Sequence, residues 1–202
     1  MPDRGIELAQ RLVHQAQRLG FDAVGIARPQ PARTIDRYQA WLDRGYHGKM
    51  AFLARPDSLL KRGDLALVLP EIRSVVTLVA NYHTNPLDTD LQRDPSRGII
   101  ASYAWGADYH HVIAPRLREL GRFVLSEIEP QALHRAYVDT GPLLERELAA
   151  ASGLGFIGKN TNLIRPGLGS WLFLAELLLT AELAETKPSI GRTGTCGSCT
   201  RC

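Results

Sequence analysis

The three cysteines of this chain all lie within its last seven residues, at Cys196, Cys199 and Cys202. The rest of the chain must therefore fold around a hydrophobic core, without disulfide bonds to hold it together. The C-x2-C-x2-C spacing is that of bacterial-type ferredoxins, in which the three thiolates of such a run hold one [4Fe–4S] cluster. The fourth thiolate that a cluster needs is missing from the sequence. We therefore expect the chain to be the front part of a longer redox protein.

A zinc site is the alternative for the same cysteines. Zinc sites usually combine one C-x2-C pair with a second, distant pair, and no second pair exists in this sequence. Gly197 also permits the tight wrapping that turns backbone N–H groups toward cluster sulfides. The run therefore favours an iron–sulfur cluster over zinc.

The composition is that of a globular protein with its own core. The chain has 202 residues, of which 45% are hydrophobic and 22% are charged, and this suits one α/β domain. No apolar run is long enough to span a bilayer, and the first residues lack a secretory leader pattern. We therefore expect a cytoplasmic protein with no membrane partner. The net charge of +3 is too small to indicate nucleic-acid binding by itself.

Segments with helical spacing of apolar residues alternate with short apolar strand patterns along most of the chain. This alternation predicts an α/β layered domain. The strongest helical pattern covers residues 108–128, and the clearest β-branched strand covers 74–82. Further helices are predicted at 6–20, after a capping Thr34, and at 143–152, and further strands at 22–27 and 135–139.

Two other regions have weaker patterns. A short strand is predicted at 99–103, and strands at 162–164 and 170–179 are predicted to form a hairpin around a Pro-Gly turn. We expect the α/β domain to cover residues 1–183. Residues 184–202 would then begin a small ferredoxin-like iron–sulfur domain.

Asp139 is a candidate acid because it ends the strand predicted at 135–139, where a turn begins. Ligands of open α/β sheets bind beyond the carboxyl ends of the strands, and a partly buried carboxyl group there has a raised pKa that suits a general acid. The alternative is an aspartate that caps the turn into the next helix. The position alone favours that structural role, and Glu145 with Arg146 is then an ordinary solvated helix face.

The segment Gly153-Leu-Gly155-Phe-Ile-Gly158 has the spacing of a dinucleotide-binding loop. It follows a predicted helix and precedes a strand, which is the reverse of the order that such a loop requires, so we reject that interpretation. The remaining alternative is a glycine loop that lets a bulky cofactor approach the backbone, with Lys159 and Asn160 as polar contacts.

Residues 102–111 mix aromatic residues, histidines and Asp108 at the junction between a loop and a helix. Asp108 is the expected N-cap of that helix. The adjacent His110 and His111 point apart on a helix, so structural or cofactor-packing roles are favoured over metal binding.

These segments occur in one order along nearly the whole chain, and together they resemble the epoxyqueuosine reductases. Those enzymes use cobalamin and iron–sulfur clusters to complete queuosine in tRNA. Each segment is a weak signal alone, whereas the ordered set, closed by the cysteine run, is highly specific. The set comprises Trp41-Leu-Asp-Arg-Gly-Tyr46-His-Gly, Tyr103-Ala-Trp-Gly-Ala-Asp108-Tyr-His110, Val138-Asp139-Thr-Gly-Pro-Leu-Leu-Glu145-Arg146, Gly153-Leu-Gly-Phe-Ile-Gly158-Lys159-Asn160 and Gly169-Ser170-Trp-Leu-Phe-Leu-Ala-Glu176.

The resemblance implies a cobalamin-binding α/β domain followed by a ferredoxin-like domain with two [4Fe–4S] clusters. It implies two partners, namely tRNA with epoxyqueuosine in its anticodon loop and an external electron donor. It also implies that Asp139 is the proton donor beside the substrate and that the cysteine run provides the cluster ligands. The implied cobalamin contacts are Arg62, Asp139, Gly158, Lys159, Asn160 and Ser170.

The implied reaction removes an epoxide oxygen from a ring on the modified base, and the products are an alkene and water. Clusters would pass electrons singly to cobalt. A neutral Asp139 would protonate the leaving oxygen. Because the cluster ligands are incomplete, we expect these 202 residues to be inactive by themselves.

Two other functions compete with this one. A reductive dehalogenase also joins cobalamin to two clusters, but such enzymes are usually exported and this chain has no leader. A plain iron–sulfur electron carrier would show cluster absorption and bind no corrinoid. Cobalamin binding, followed by turnover of tRNA that carries epoxyqueuosine, separates the three.

Overall fold

The computed structural model describes residues 2–186 and 194–201, and helices and strands follow one another along these residues. The α-helices are α1 (Pro2–Arg18), α2 (Ile35–Asp43), α3 (Pro56–Gly63), α4 (Thr89–Arg93), α5 (Tyr109–Glu127) and α6 (Glu145–Ala151). The strands are β1 (Ala23–Ala27), β2 (Ser74–Asn81), β3 (His134–Tyr137), β4 (Phe156–Ile157), β5 (Leu163–Ile164) and β6 (Leu172–Leu179). Short 3-10 turns occupy Ala51–Ala54, Leu65–Leu67 and Ser102–Ala104.

The main sheet has four strands in the order β1-β2-β6-β3, and each neighbouring pair is antiparallel. The register places Thr77 of β2 and Tyr137 of β3 on either side of Glu176 of β6. The predicted mixture of helices and strands is confirmed. The argument for Asp139 from the carboxyl ends of a parallel sheet does not apply, because adjacent strands run in opposite directions. Asp139 nevertheless lies just beyond the end of β3.

Helices cover both faces of the sheet, because alternate residues of each strand point to opposite sides. On one face, α1 and α5 pack against β1, β2 and β6, while α6 and the segment around Leu65–Leu67 pack on the other. The first face is closed by Leu12, Ala16, Ile26, Val76, Leu78, Leu117, Leu120, Val124, Leu177 and Leu179, all nearly inaccessible to solvent.

The long predicted helix and the β-branched strand are confirmed as α5 and β2. Asp108 caps α5 as predicted, since its carboxylate accepts a hydrogen bond from the backbone N–H of His110 at 2.9 Å. Thr34 precedes α2 without capping it, because its hydroxyl donates to the Glu147 carboxylate instead.

The strand predicted at 99–103 is wrong. Ile99 and Ile100 are 58% and 69% exposed, and a 3-10 turn follows them. The indole N–H of Trp105 donates to the Ile100 carbonyl at 2.8 Å, which holds the segment as a loop. Its apolar residues therefore have no sheet to join.

The hairpin predicted between 162–164 and 170–179 is also wrong, because β5 pairs with β4. A tight loop closes this small hairpin, with the Gly158 N–H donating to the Asn162 carbonyl at 2.9 Å. The Pro-Gly turn after β5 closes only a single bridge, between Arg165 and Gly169.

Residues that follow β6 return across the sheet as far as Thr186. The N–H of Leu183 donates to the Ser74 hydroxyl at 2.9 Å, and Thr186 exchanges hydrogen bonds with the backbone of Ile26. The domain boundary at residue 183 stays a prediction, and residues 187–193 lie outside the described part. Within that part, no helix has the length and apolar character needed to cross a membrane.

Candidate active site

Asp139 occupies a tight turn immediately after β3. Its φ of +59° is left-handed, a conformation that aspartate adopts more readily than most residues. The turn is closed by a hydrogen bond of 2.6 Å from the Thr140 N–H to the Val138 carbonyl. The alternative role as a helix cap is wrong, because Leu144 is the residue before α6 and the helix has no side-chain cap.

Tyr109 orients the Asp139 carboxylate. Its hydroxyl donates to Asp139 Oδ2 at 2.7 Å, and its ring stacks on Phe173 of β6 with centroids 4.3 Å apart. Burial raises the pKa of Tyr109, and the hydrogen bond to Asp139 and the Asp139 charge raise it further. Tyr109 therefore keeps its proton and remains a donor to Asp139 across the physiological pH range.

Two further carboxyl groups lie beneath the turn. The backbone N–H of Asp139 donates to Glu145 Oε1 at 2.9 Å, and the Glu145 carboxyl is within reach of Glu176. Glu176 is completely buried, and burial raises its pKa well above the ordinary value, with the charge of Glu145 as the next cause. Burial, followed by the charge of Asp139, also raises the pKa of Glu145. Among the described residues, no N–H or O–H group donates to either Glu176 oxygen, so a hydrogen bond between the two carboxyls requires a proton on one of them.

Replacing Glu176 with Gln is expected to stabilise the protein at alkaline pH. Because the native pKa is raised, the folded protein retains a proton that the unfolded chain releases above about pH 4.5. Stability therefore falls as the pH rises through the native pKa. Glutamine stays neutral and can donate to Glu145, so the free energy of unfolding at pH 8 should rise by about 1–3 kcal/mol over wild type.

Urea unfolding between pH 4 and pH 9 measures this effect. The control is Glu129→Gln, which makes the same change at an exposed position. The difference from wild type should shrink toward pH 4. An equal difference at both ends of the range would contradict the burial of an ionisable Glu176.

The described cysteines lie against the loop between β4 and β5. The Lys159 N–H donates to Cys196 Sγ at 3.3 Å, while its ammonium donates to the carbonyls of Gly197 and Cys199 at 2.9 and 3.1 Å. The Cys199 N–H donates to the Cys196 carbonyl at 2.9 Å, which forms a turn with Gly197 at a φ of +50°. Backbone N–H groups directed at thiolate sulfur are typical of iron–sulfur loops. The predicted ligand Cys202 lies outside the described residues.

Gly158 and Asn160 shape that same loop. A Cβ on Gly158 would meet the Ile164 side chain and lie 2.9 Å from Asn160 Oδ1, so a larger residue would require both side chains to shift. Asn160 Oδ1 accepts the Asn162 N–H at 3.1 Å. The loop is tied to α6 because Arg146 Nη1 donates to the Thr161 carbonyl at 2.6 Å.

Ser170 lies half-buried two residues before β6, next to an aromatic cluster that reaches Asp139. Trp171 packs edge-on against Tyr82. The ring centroids of Tyr82 and Phe173 are 4.4 Å apart, and Phe173 in turn stacks on Tyr109. Ser170 thus adjoins the Trp171 end of this cluster, and Tyr109 at the other end contacts Asp139.

Arg62 lies on α3 and lines a cleft of about 510 Å³ together with Thr140 and Gly141, the residues after Asp139. Its guanidinium carbon is 5.1 Å from the centre of the Tyr38 ring. Its Nη1 atom is buried and has no acceptor among the described residues. The structure thus brings Arg62 to the Asp139 turn, and brings Lys159 to the cysteines.

Sequence reasoning assigned no chemical role to Tyr109, Glu145 or Glu176. One signal was available for Glu176, since it is a carboxylate in the middle of the apolar strand Leu172–Leu179. The other two depend on contacts between distant segments, which no local pattern reveals.

Comparison with known proteins identifies enzymes that share this fold. The family model described as "Epoxyqueuosine reductase QueG, DUF1730" matches residues 62–140, a range that includes Arg62 and Asp139. Epoxyqueuosine reductase from Synechococcus sp. (strain RCC307) is 42% identical over 97% of this chain and 59% of its own length.

Solved structures give the same result. A crystal structure of epoxyqueuosine reductase with an epoxyqueuosine-modified tRNA stem loop has a TM-score of 0.79 and 30% identity over 96% of this chain and 50% of that one. The Bacillus subtilis enzyme, with an aspartate-bearing catalytic loop swung out of the active site, has a TM-score of 0.80 and 29% identity, with the same shares covered. A catabolic reductive dehalogenase matches at a TM-score of 0.54 and 17% identity over 93% of this chain and 21% of its own, which shows a shared fold alone.

The fold is thus one found both in reductive dehalogenases and in epoxyqueuosine reductases. Within it, this chain is similar in sequence and structure to the epoxyqueuosine reductases, as the motifs indicate. The chain spans 59% of the length of the Synechococcus relative.

Proposed function

We propose that this chain forms the cobalamin-binding, proton-delivering part of an enzyme that reduces epoxyqueuosine to queuosine in tRNA. The observation that carries the proposal is the Asp139 carboxylate, which Tyr109 orients at 2.7 Å on a turn that borders an open cleft. Two features of the relatives support it, namely the tRNA stem loop bound to one of them and the aspartate on a catalytic loop of another.

The residues present fit the implied cofactors in part. Cys196 and Cys199 form a compact turn, with the N–H of Lys159 directed at the first sulfur, as a cluster ligand set requires. The cleft beside Arg62 and a second one of about 480 Å³, beside Gly155 and Phe156, are each of a size for drug-like ligands. A corrinoid is larger, so it would extend over the surface beyond either cleft.

We propose that the residues holding cobalamin are Arg62, Asp139, Gly158, Lys159, Asn160 and Ser170, with the Lys159 side chain also holding the cysteine loop. When bound, the cobalamin would supply a cobalt centre that clusters could reduce, one electron at a time, to a low-valent and strongly reducing state.

The protein's own part in the reaction is proton delivery. An epoxide oxygen leaves poorly as an alkoxide, so it must be protonated as its bond to carbon breaks. Asp139 is the proton donor, and the Tyr109 hydroxyl donates to its Oδ2, which leaves Oδ1 to carry the proton. Two electrons and two protons convert the epoxide to an alkene and water, and Asp139 delivers at least the proton on the leaving oxygen.

The decisive experiment uses the complete protein, reconstituted without oxygen. It should bind cobalamin, show iron–sulfur absorption and convert epoxyqueuosine to queuosine in tRNA, at a rate that depends on an added electron donor. Turnover of a halogenated aromatic compound instead would favour the dehalogenase. Cluster absorption without corrinoid binding would favour an electron carrier.

We also propose the cytoplasm as the compartment, since tRNA and a reducing environment are both present there.

Replacing Lys159 with Met is expected to lower the reduction potential of the adjoining cluster. The change removes a positive charge and two hydrogen bonds to the cysteine turn, both of which stabilise the more negative, reduced cluster. A loss of about 1 kcal/mol corresponds to roughly 40 mV for a one-electron couple. Redox titration followed by EPR measures the shift, with the exposed Lys49→Met as control. An unchanged potential would contradict this contact.

Arg55, Lys61 and Arg135 surround Arg62 in the cleft and could neutralise RNA phosphates. Replacing Arg55 with Ala in the complete protein should weaken tRNA binding and reduce the slope of log K against log salt by about one. Arg118→Ala, on α5 across the sheet, is the matched control. Binding measured by fluorescence anisotropy at several salt concentrations tests this, and an unaltered slope would remove the cleft from the RNA interface.

A further inference from the structure

Two glutamates that the proton transfer does not use lie beneath the catalytic turn. Glu145 begins α6 and accepts the backbone N–H of Asp139 at 2.9 Å. Glu176, in the centre of the sheet, is 0% exposed, and its carboxyl lies against that of Glu145. A buried carboxyl group is costly unless it is hydrogen-bonded, so an apolar residue would suit the sheet better if packing were its only purpose.

Arg146 is a cation that lowers the pKa of Glu145, but its effect is smaller than those of burial and of the Asp139 charge, which raise that pKa. On the two neighbouring strands, the residues directly opposite Glu176 are Thr77 and Tyr137. The Thr77 hydroxyl is buried and has no partner among the described residues, nor has either Glu176 oxygen. On α6, Arg146 directs its guanidinium to the Thr161 carbonyl.

The remaining groups that face the pair are acidic or keep their protons. In its ionised form Asp139 adds a negative charge above Glu145, and the Tyr109 hydroxyl donates a hydrogen bond to Asp139. The two glutamates can therefore approach each other only if they share a proton.

The backbone of Asp139 needs support of this kind. Its φ of +59° is unfavourable for a residue with a Cβ, so neighbouring contacts must hold it. The bond from its N–H to Glu145 is one such contact, and it also joins the turn to the rigid start of α6. If Glu145 were charged and repelled by a charged Glu176, it would move away from the sheet and release the turn.

Resting on the function proposed above, we propose that Glu145 and Glu176 are a positioning pair for Asp139. Glu145 holds the backbone of the catalytic turn, and the proton it shares with Glu176 keeps Glu145 in place. Neither glutamate contacts the substrate. The pair makes the placement of the acid depend on pH, because loss of the shared proton loosens the turn.

Hydrogen–deuterium exchange of the peptide 138–144 in the complete protein tests the proposal without substrate or turnover. In Glu145→Ala the amide of Asp139 loses its acceptor, so its exchange should become roughly five- to tenfold faster. Glu145→Gln keeps an acceptor oxygen and should remain close to wild type at neutral pH. Glu147→Gln makes the same change two residues along α6, where the side chain accepts from Thr34 instead, and is the control.

Glu176→Gln separates positioning from simple packing. Its amide donates to Glu145 at every pH, so the turn should stay protected at pH 9, where wild type loses protection after correction for intrinsic exchange. In the same variant the alkaline fall of kcat should move to higher pH. Glu145→Ala should lower kcat roughly 10- to 100-fold while the KM for tRNA is unchanged.

Unchanged exchange in Glu145→Ala would overturn the proposal, as would a Glu176→Gln variant that follows wild type at every pH. If Glu145→Ala does not fold, the two glutamine variants still decide the question. A complete protein that leaves epoxyqueuosine unreduced would refute the proposed function, whereas the exchange measurements would still decide whether the pair holds the turn.

Discussion

Asp139→Asn in the complete protein is expected to bind cobalamin normally and to reduce epoxyqueuosine about 10²–10⁴ times more slowly than wild type. Asparagine has nearly the shape of aspartate and tolerates a left-handed φ, so the turn should persist. It can still accept the Tyr109 hydroxyl through its amide oxygen. What it lacks is an acidic proton for the leaving oxygen. Single-turnover kinetics with the modified tRNA, together with the visible spectrum of bound cobalamin, measure the two effects separately.

Two further variants make this result specific. Asp108→Asn keeps a good N-cap for α5 and should stay close to wild type, although it adjoins Tyr109. Tyr109→Phe removes one hydrogen bond to Asp139 and should cost roughly tenfold in kcat. Near-normal turnover by Asp139→Asn would remove this residue from its proposed role.

Cys196→Ala and Cys199→Ala are expected to abolish the cluster that we propose these residues hold. A cubane cluster needs its full set of thiolates, so each variant should lose about half of the iron of a two-cluster protein. Electron delivery to cobalt should fail with it, and queuosine formation should fall to background. Iron analysis and EPR after anaerobic reconstitution measure the loss, with Ser198→Ala, between the two cysteines, as control.

Unchanged iron content in either cysteine variant would count against the ligand assignment. Retained metal with zinc in place of iron would instead revive the alternative that the spacing disfavoured.

Much of the fold followed from local patterns. The apolar spacing along α5 and the β-branched residues of β2 fixed both elements, because their own faces determine how they are buried. Two of the failed predictions concern short segments. Ile99 and Ile100 have strand-like side chains, but within the part of the chain that the structure describes no strand pairs with them. β5 pairs with β4 through the tight loop at Gly158 that precedes it. It does not pair with β6 through the Pro-Gly turn that follows it.

The candidate site divides in the same way. Asp139 and the cysteines were evident from motifs whose residue types and spacing are chemically specific. The position of Lys159 against the cysteine turn was not, because it joins residues 37 or more positions apart. Tyr109 shows the same limitation, since its contact with Asp139 spans 30 positions.

The sequence by itself predicted most of the longer helices and strands, the candidate acid, the cysteine run as a candidate ligand set and the resemblance to the epoxyqueuosine reductases. Only the tertiary structure decided which carboxyl groups meet. Asp139, Glu145 and Glu176 belong to a turn, a helix and a strand, and their ionisation depends on burial and on one another's charge. Burial and mutual distance arise when the sheet and α6 pack together, and a linear pattern of residues does not contain them.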